Sequence, residues 1–369
     1  MKDKLNHLFF PNEGKENRFK ALDGLRGLAI LIVLMTHANN GHYYFNKYIN
    51  FYKFSKAGVY LFFILSAYLL DRQIGLALRL KKASKWFWAN YILRRILRIY
   101  PLYIISLFVY YFQVTYFEYH DHGIKTPDNV YITPIVSLSD ILKHLLLIEG
   151  NRFTWTIPVE FKYYFISPVL MYFFHKYLKW NLKFIFFTII LLTIISTIFN
   201  LEFDVPVLSP FTFFPVFLMG TFFAILEILK RDSFTERFKS KKYDYIGLAA
   251  FAIIIFTLPF YLDLFFGIYA DFNNYKFMIP YCLLWGFVFF AAKFSEGIIK
   301  KTLETKVMRF FGTISISLYL LHQAVLNMVR RMDCPEDLKI YLFFAFSILL
   351  STAIYLILER PISKIKIPY

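Results

Sequence analysis

The feature that most limits what this chain can become is the length of its apolar blocks. They run to about twenty residues each and are separated by short polar or basic connections. A helix of that length crosses the about 30 Å hydrocarbon core of a bilayer. Inside that core the backbone polar groups must be satisfied within the protein. Composition agrees: of 369 residues 58% are hydrophobic and 21% aromatic, with mean hydropathy +0.49. A soluble chain is about half apolar and much less aromatic.

The reading is an all-α, polytopic integral membrane protein with about ten transmembrane helices and no fused soluble domain. The blocks fall at about Leu22–Ala38, Ala57–Leu70, Tyr91–Phe117, Pro158–Phe174, Leu182–Phe199, Phe211–Leu229, Tyr245–Phe266, Phe277–Ala292, Phe310–Val329 and Ile340–Leu358. The stretch Ile141–Ile148 is too short to cross and is expected at a surface or as a re-entrant piece. Residues 1–369 are expected to form one transmembrane domain, with residues 1–20 as a polar N-terminal tail. That tail has no apolar core of its own, so no cleavable signal peptide is expected.

The net charge of +17 needs an explanation. Nucleic-acid binding is one; cations gathered on one side of a membrane is the better one. Lys2, Lys4, Lys15, Arg18 and Lys20 lie before the first block. Arg72, Arg79, Lys81, Lys82, Lys85, Arg94, Arg95 and Arg98 lie around the second connection. Lys230, Arg231, Arg237, Lys239, Lys241 and Lys242 lie in the sixth-to-seventh connection, and Lys300, Lys301, Lys306 and Arg309 in the eighth-to-ninth. All four groups share a side if both termini are cytoplasmic. The opposite connections carry Asp121, Asp128, Asp140, Glu149, Glu202 and Asp204. Arg330 and Arg331 break this pattern and the sequence offers no reason for them. The two cysteines, Cys282 and Cys334, have no metal or disulfide spacing.

Ionisable residues inside a bilayer are costly and ask for a reason. The first block, LDGLRGLAILIVLMTH, has Arg26 near one end and His37 at the other. Eleven helical steps bring His37 within about 20° of Arg26 in azimuth and about 16 Å from it along the axis. One face thus carries a permanent cation at one surface and an imidazole well across. His37 suits a general base, although a histidine closing a span also serves as a satisfied interfacial group. Asp23 and Arg26, at i,i+3, can be a plain ion pair. Gly24 and Gly27 are unusual at a helix start unless something approaches closely.

Arg95 and Arg98 in YILRRILRIYPLY share a face at the cytoplasmic end of the third block. They fit a phosphate clamp or snorkelling anchors. Pro101 is expected to disturb the helix there. In NRFTWTIPVEFKYYF, Trp155 precedes Glu160, a carboxylate entering the membrane in need of a cation; Lys162 points elsewhere on a helix. His322 in GTISISLYLLHQAV fits a helix-packing hydrogen bond, and Ser315 and Ser317 fit packing. No phosphate-binding glycine loop, nucleophile elbow or zinc-helix motif is present.

At these residues the chain resembles the integral-membrane acyltransferase-3 family, which modifies bacterial cell-envelope glycans. LDGLRGLAILIVLMTH is similar to that family's opening signature, with its Arg and His falling on Arg26 and His37. GVYLFFILSAYLL resembles its second-span motif, with Ser66-Ala67 for the usual Ser-Gly. RRILRIYPLY matches an Arg-x-x-Arg motif on Arg95 and Arg98. WTIPVEFKYYFISP matches one whose Trp and Glu fall on Trp155 and Glu160; a second Glu common there is Phe161 here. GTISISLYLLHQAV and LERPISK resemble its late motifs.

The resemblance implies transfer of an acyl group, acetyl by default, from cytoplasmic acyl-CoA to a hydroxyl of an envelope polysaccharide or glycolipid, with no metal. Arg95 and Arg98, with Arg26, would hold the donor's phosphates. His37 would be the base, with Arg26 and Glu160 in the catalytic set, and Trp155 and His322 would line the acceptor side. The protein would sit in the cytoplasmic membrane and bind no nucleic acid. A second reading of the same features is a multi-span exporter or flippase of an envelope glycan or lipid-linked sugar; it calls for an internal repeat, which the sequence lacks.

Overall fold

The structure is a computed structural model. It describes residues 9–10, 20–118, 135–150, 154–203, 205–268 and 277–365, and for residues 230–235 the backbone only. Of the charges used in the topology argument, Lys2, Lys4, Lys15, Arg18, Asp121, Asp128 and Asp204 lie outside the described residues, as do the side chains of Lys230 and Arg231. The described residues are helical, without strands. They fall into two compact units. The first holds Met1–Arg72, Pro215–Tyr319 and Cys334–Leu342, the second Gln73–Phe214, Leu320–Asp333 and Phe343–Tyr369.

The helices are α1 (Lys20–Asn40), α2 (Ser55–Arg79), α3 (Lys85–Gln113), α4 (Leu138–Leu145), α5 (Thr156–Lys176), α6 (Leu182–Glu202), α7 (Phe214–Phe238), α8 (Asp244–Phe256), α9 (Pro259–Phe266), α10 (Met278–Phe294), α11 (Ile298–Leu303), α12 (Lys306–Thr313), α13 (Ser315–Arg330), α14 (Glu336–Ile354) and α15 (Arg360–Ser363). Five are long and apolar enough to cross a membrane, seven if two bent pairs each count as one span. The other three expected spans correspond to α3, α5 and the 17-residue α10.

Two spans that read as continuous in the sequence are broken. The seventh bends by 69° between α8 and α9. Pro259 stands in the first turn of α9, where its missing N–H is no loss, so a new helix starts there. The ninth breaks at Ile314, between α12 and α13. There the Ser315 hydroxyl donates to Gly312 O at 2.8 Å and Thr313 to Arg309 O at 2.9 Å. Such side-chain bonds offer the backbone an alternative to helix. Conversely, α3 runs through Pro101 without ending.

In the first unit, α1 packs against α11 and α12 at backbone distance. A Cβ on Gly24 would stand 2.6 Å from the Leu303 carbonyl carbon, and one on Gly27 would stand 3.0 Å from that of Met308. A Cβ on Gly312 would meet the Asp23 carbonyl carbon at 2.7 Å. The glycines flanking Arg26 are therefore required by helix contact. In the same unit Glu227 of α7 meets Arg72 of α2 at 3.1 Å and Lys293 of α10 at 3.6 Å. It also accepts from the Tyr68 hydroxyl. Thr221, a turn and a half earlier on α7, donates to Asp71 at 2.6 Å. This buried network ties α2, α7 and α10 together with its charges compensated.

In the second unit, α6 buries little of itself: 22% of its best 18-residue window is buried, and Phe184, Phe187 and Ile198 are exposed. An apolar helix that buries so little is suited to hydrocarbon rather than water. Helix α4, the short Ile141 segment of the sequence reading, starts on a capping box between Ser137 and Asp140. Its last carbonyls, His144 O and Leu145 O, accept from the Tyr103 and Tyr100 hydroxyls at 3.3 and 3.0 Å. Those tyrosines lie near the middle of the 29-residue α3, so α4 packs halfway along that helix.

Candidate active site

The second unit gathers Arg95, Arg98 and Glu160. Arg95 on α3 is held from three directions. One guanidinium nitrogen donates to Gln73 Oε1 at 2.7 Å. The guanidinium carbon lies 5.4 Å from the Tyr91 ring centre and 6.0 Å from that of Tyr164, within reach of a cation–π attraction. Tyr91 in turn donates from its hydroxyl to Tyr164 O at 3.0 Å, tying α3 to α5. Tyr164 donates to Glu160 Oε1 at 2.7 Å. Glu160 and Arg98 both stand close enough to act on Arg95 electrostatically.

Arg95, on another helix, lies near enough to feel the charge of Glu160, but no ion pair or hydrogen bond joins the two among the described residues. Lys162 is turned away, donating to Leu208 O at 3.2 Å. The two arginines differ: Arg95 is half-buried between aromatic rings, whereas Arg98 is exposed. Arg95 Nε has no hydrogen-bond partner, and Arg98 makes no hydrogen bond or ion pair, among the described residues. A rigid planar donor with spare N–H groups beside a second exposed guanidinium is suited to a phosphate or pyrophosphate. Trp155, just ahead of α5, packs against Phe213 with ring centres 5.1 Å apart and the planes tilted by 33°. His322 on α13 is buried, 1% exposed.

Arg26 and His37 belong to the first unit. Arg26 pairs with Asp23 at 3.0 Å, the i,i+3 ion pair open to the sequence. His37 is half-buried in the last turn of α1. The chain just beyond it is fixed by two asparagines. Asn39 accepts from Phe51 N at 2.7 Å and donates to Tyr43 O at 2.9 Å; Asn40 accepts from Lys53 N at 2.9 Å. These clamps fold residues 41–54 back over the end of α1.

The sequence reading did not single out Tyr91, Tyr164, Gln73, Asn39 or Asn40. Tyr91 and Tyr164 stand at i,i+4 from Arg95 and Glu160, so their neighbourhood was legible. Gln73 sits 22 residues from Arg95, and no local pattern reports it. Among the described residues no group of His, Cys, Asp and Glu could hold a metal.

A helical chain with five to seven membrane-length spans and buried charge pairs between them is a polytopic membrane protein. Residues 19–360 match the model of the acyltransferase-3 family, described as an acyltransferase domain, and the chain belongs to that family. It is also similar to proteins of Staphylococcus aureus strains COL, MSSA476 and N315, each named "Putative O-acetyltransferase". Identity is 25% over 383 aligned residues, covering 96% of this chain and 59% of each relative. The chain therefore spans about three fifths of the length of those relatives. No solved structure matches it.

Proposed function

We propose that this chain is an O-acyltransferase that moves an acyl group, acetyl by default, from acyl-CoA to a hydroxyl of a cell-envelope polysaccharide or glycolipid. Membership of the acyltransferase-3 family supports acyl transfer, and the names of the relatives support oxygen as the receiving atom. The observation that carries the donor assignment is the Arg95–Arg98 pair, with an unsatisfied Nε on one and an exposed guanidinium on the other. These residues hold the phosphates of CoA, with Arg26 as a further cation. The topology is ten spans in the cytoplasmic membrane with both termini cytoplasmic, which puts Arg95, Arg98 and Arg26 at the face where acyl-CoA is made.

His37 is the base. Its imidazole accepts the proton of the acceptor hydroxyl as that oxygen attacks the thioester carbonyl carbon. The C–O bond forms, the C–S bond breaks, and the proton passes to the CoA sulfur, leaving an ester and the free thiol. Base catalysis of this kind contributes roughly 10²–10⁴-fold. Glu160 accepts from Tyr164, whose ring lies against Arg95, and so acts on that guanidinium through the tyrosine. Trp155 and His322 are assigned to the acceptor side.

The test is acetyl-CoA binding to purified protein. Arg95→Ala and Arg98→Ala each weaken binding by about 1.5–3 kcal/mol, the worth of a charge-assisted contact. The loss shrinks for a thioester donor that lacks the nucleotide. Unchanged affinity in a folded double variant removes the donor assignment. The same preparation separates the exporter reading, which calls for no consumption of acetyl-CoA.

A further inference from the structure

Arg330 and Arg331 are not the only cations on the side that the topology places outside. Lys47, Lys53 and Lys56 lie there too, in residues 41–56, between α1 and the first turn of α2. That segment reads GHYYFNKYINFYKFSK: seven of its sixteen residues are aromatic, three are lysine and none is acidic. Lysine is disfavoured in short connections on the translocated side, so three in one connection ask for an anion. Among the described residues the acids of the neighbouring α9 and α14 are Asp263, Glu336 and Asp337, and Glu336 is paired with Lys339 at 2.6 Å.

The segment has a fixed shape. Beyond the Asn39 and Asn40 clamps, Asn46 and Asn50 each accept from the backbone N–H two residues on, at 2.9 Å. The Tyr48 carbonyl accepts from the Tyr261 hydroxyl of α9 at 2.8 Å, and Phe45 meets Tyr341 of α14 edge to face, ring centres 5.3 Å apart. His42 and Lys53 hold φ of 66° and 58°, the left-handed region that costs a residue with a side chain energy. Yet the rings are not all spent on packing: Tyr48 is 79% exposed and Phe45 44%. Lys47, between them in the chain, is exposed and makes no hydrogen bond or ion pair among the described residues. Lys53 Nζ stands 5.2 Å from the ring centre of the exposed Tyr52, so a second cation and ring lie side by side. The segment also begins at the turn that carries His37: Gly41 N donates to His37 O at 3.2 Å.

We propose that this segment is the docking surface for the acceptor, and that the acceptor is an anionic polysaccharide. Its sugar rings lie on the exposed faces of Tyr48 and Tyr52, and its carboxylate or phosphate groups meet Lys47 and Lys53. A tyrosine ring supplies a large, stiff face at low entropic cost, which the C–H face of a sugar ring can cover. A lysine ammonium is a point charge that demands no single geometry, as repeated anions along a chain require. The same residue types also anchor loops to a bilayer. This segment, however, is folded back over the end of α1 and starts at His37, where an acceptor has to arrive. The inference deepens the acyl-transfer reading and rests on its topology and on His37 as the base.

The experiment uses the full chain in phosphatidylcholine nanodiscs. Fluorescently labelled oligogalacturonate and a glycerol phosphate oligomer carrying sugars are the anionic probes. A dextran oligomer of the same length is the neutral comparison, and dihexanoyl phosphatidylglycerol the lipid competitor. The expected result is saturable binding of at least one anionic oligomer, tighter than that of dextran and weaker as salt is raised. The lipid at equal concentration does not displace it. Lys47→Gln combined with Lys53→Gln weakens it by about three- to thirtyfold, the loss of two exposed charge contacts. Tyr48→Ala weakens it even at high salt, where the charges are screened. Lys241→Gln combined with Lys242→Gln, in the connection between α7 and α8, leaves it unchanged. Equal affinity for the anionic and neutral oligomers overturns the anionic assignment, and displacement by the lipid overturns it in favour of a headgroup site. Unchanged binding by the Lys47 and Lys53 variant, eluting as wild type in size exclusion, overturns the location, as does an equal loss in the Lys241 and Lys242 variant. Acetyl-CoA consumption by wild-type protein is measured alongside. If it is consumed and neither anionic oligomer binds, this inference alone fails. If an oligomer binds through the lysines and no acetyl-CoA is consumed with any acceptor, the docking surface stands and the acyl-transfer reading fails.

Discussion

Gly27→Ala tests the contact that places Arg26. The added Cβ would stand 3.0 Å from the Met308 carbonyl carbon and 3.2 Å from Gly312 N, with the carbonyl oxygen nearer still. Carbon atoms rest at about 3.5–4.0 Å, so α1 and α12 must part by about half an ångström to an ångström. The obstacle is backbone on both sides, and no side chain can swing away. Overpacking of this kind costs about 1–3 kcal/mol, and the better helix propensity of alanine returns about 0.5–1 kcal/mol. With backbone on both sides of the clash the upper part of that cost, about 2–3 kcal/mol, applies, and a net destabilisation of about 1–2.5 kcal/mol remains. Gly286→Ala is the matched control. There the three atoms nearest the Cβ all belong to the Met219 side chain, the closest being Sδ at 3.1 Å, and a thioether shifts easily. That variant should be neutral or slightly more stable. The assay is thermal unfolding of both purified variants in the same detergent. A Gly27→Ala midpoint at or above wild type refutes the close-packing argument, as does an equal fall in both variants.

Glu227→Ala leaves Arg72 and Lys293, with side chains 11% and 9% exposed, without their carboxylate; a loss of about 3–5 kcal/mol is expected. Glu227→Ala unfolding at the wild-type midpoint would contradict that. His37→Ala should retain acetyl-CoA binding and lose acyl transfer, and the wild-type rate should fall on acidification because imidazolium cannot accept the hydroxyl proton; transfer at near wild-type rate by the alanine variant removes His37 as the base. His144 gives a stability signature of its own. Burial lowers its pKa from the ordinary value, partly opposed by the Asp140 carbonyl and by Glu149. The unfolded chain therefore binds a proton first, and stability falls as pH drops below the ordinary histidine range. His144→Gln should flatten that acid limb in a pH series of unfolding midpoints, and an unchanged slope counts against it.

Much of this protein was legible in its sequence because the signals are local. A twenty-residue apolar block is enough to define a helix suited to a bilayer, and α1, α2, α6, α7 and α14 follow from that alone. Neighbours on one helix were legible too: Asp23 pairs with Arg26 at i,i+3, and Tyr164 bonds Glu160 at i,i+4. The sequence also showed that Glu160 needs a cation and that Gly24 and Gly27 need a close neighbour, since a buried charge and a missing side chain both announce a demand.

Only tertiary structure could say what meets each demand. Gln73 and the Tyr164 ring meet Arg95 from other helices, and the backbone of Leu303 and Met308 answers the glycines. Glu227 draws Arg72 from 155 positions away and Lys293 from 66. The breaks at Pro259 and Ile314 fall inside stretches that are apolar enough on average to pass as single spans, so hydropathy passes over them. In a low-dielectric interior every charge and every backbone polar group must find a partner. Sequence determines that the partner must exist; the packing of helices far apart in the chain decides which residue it is.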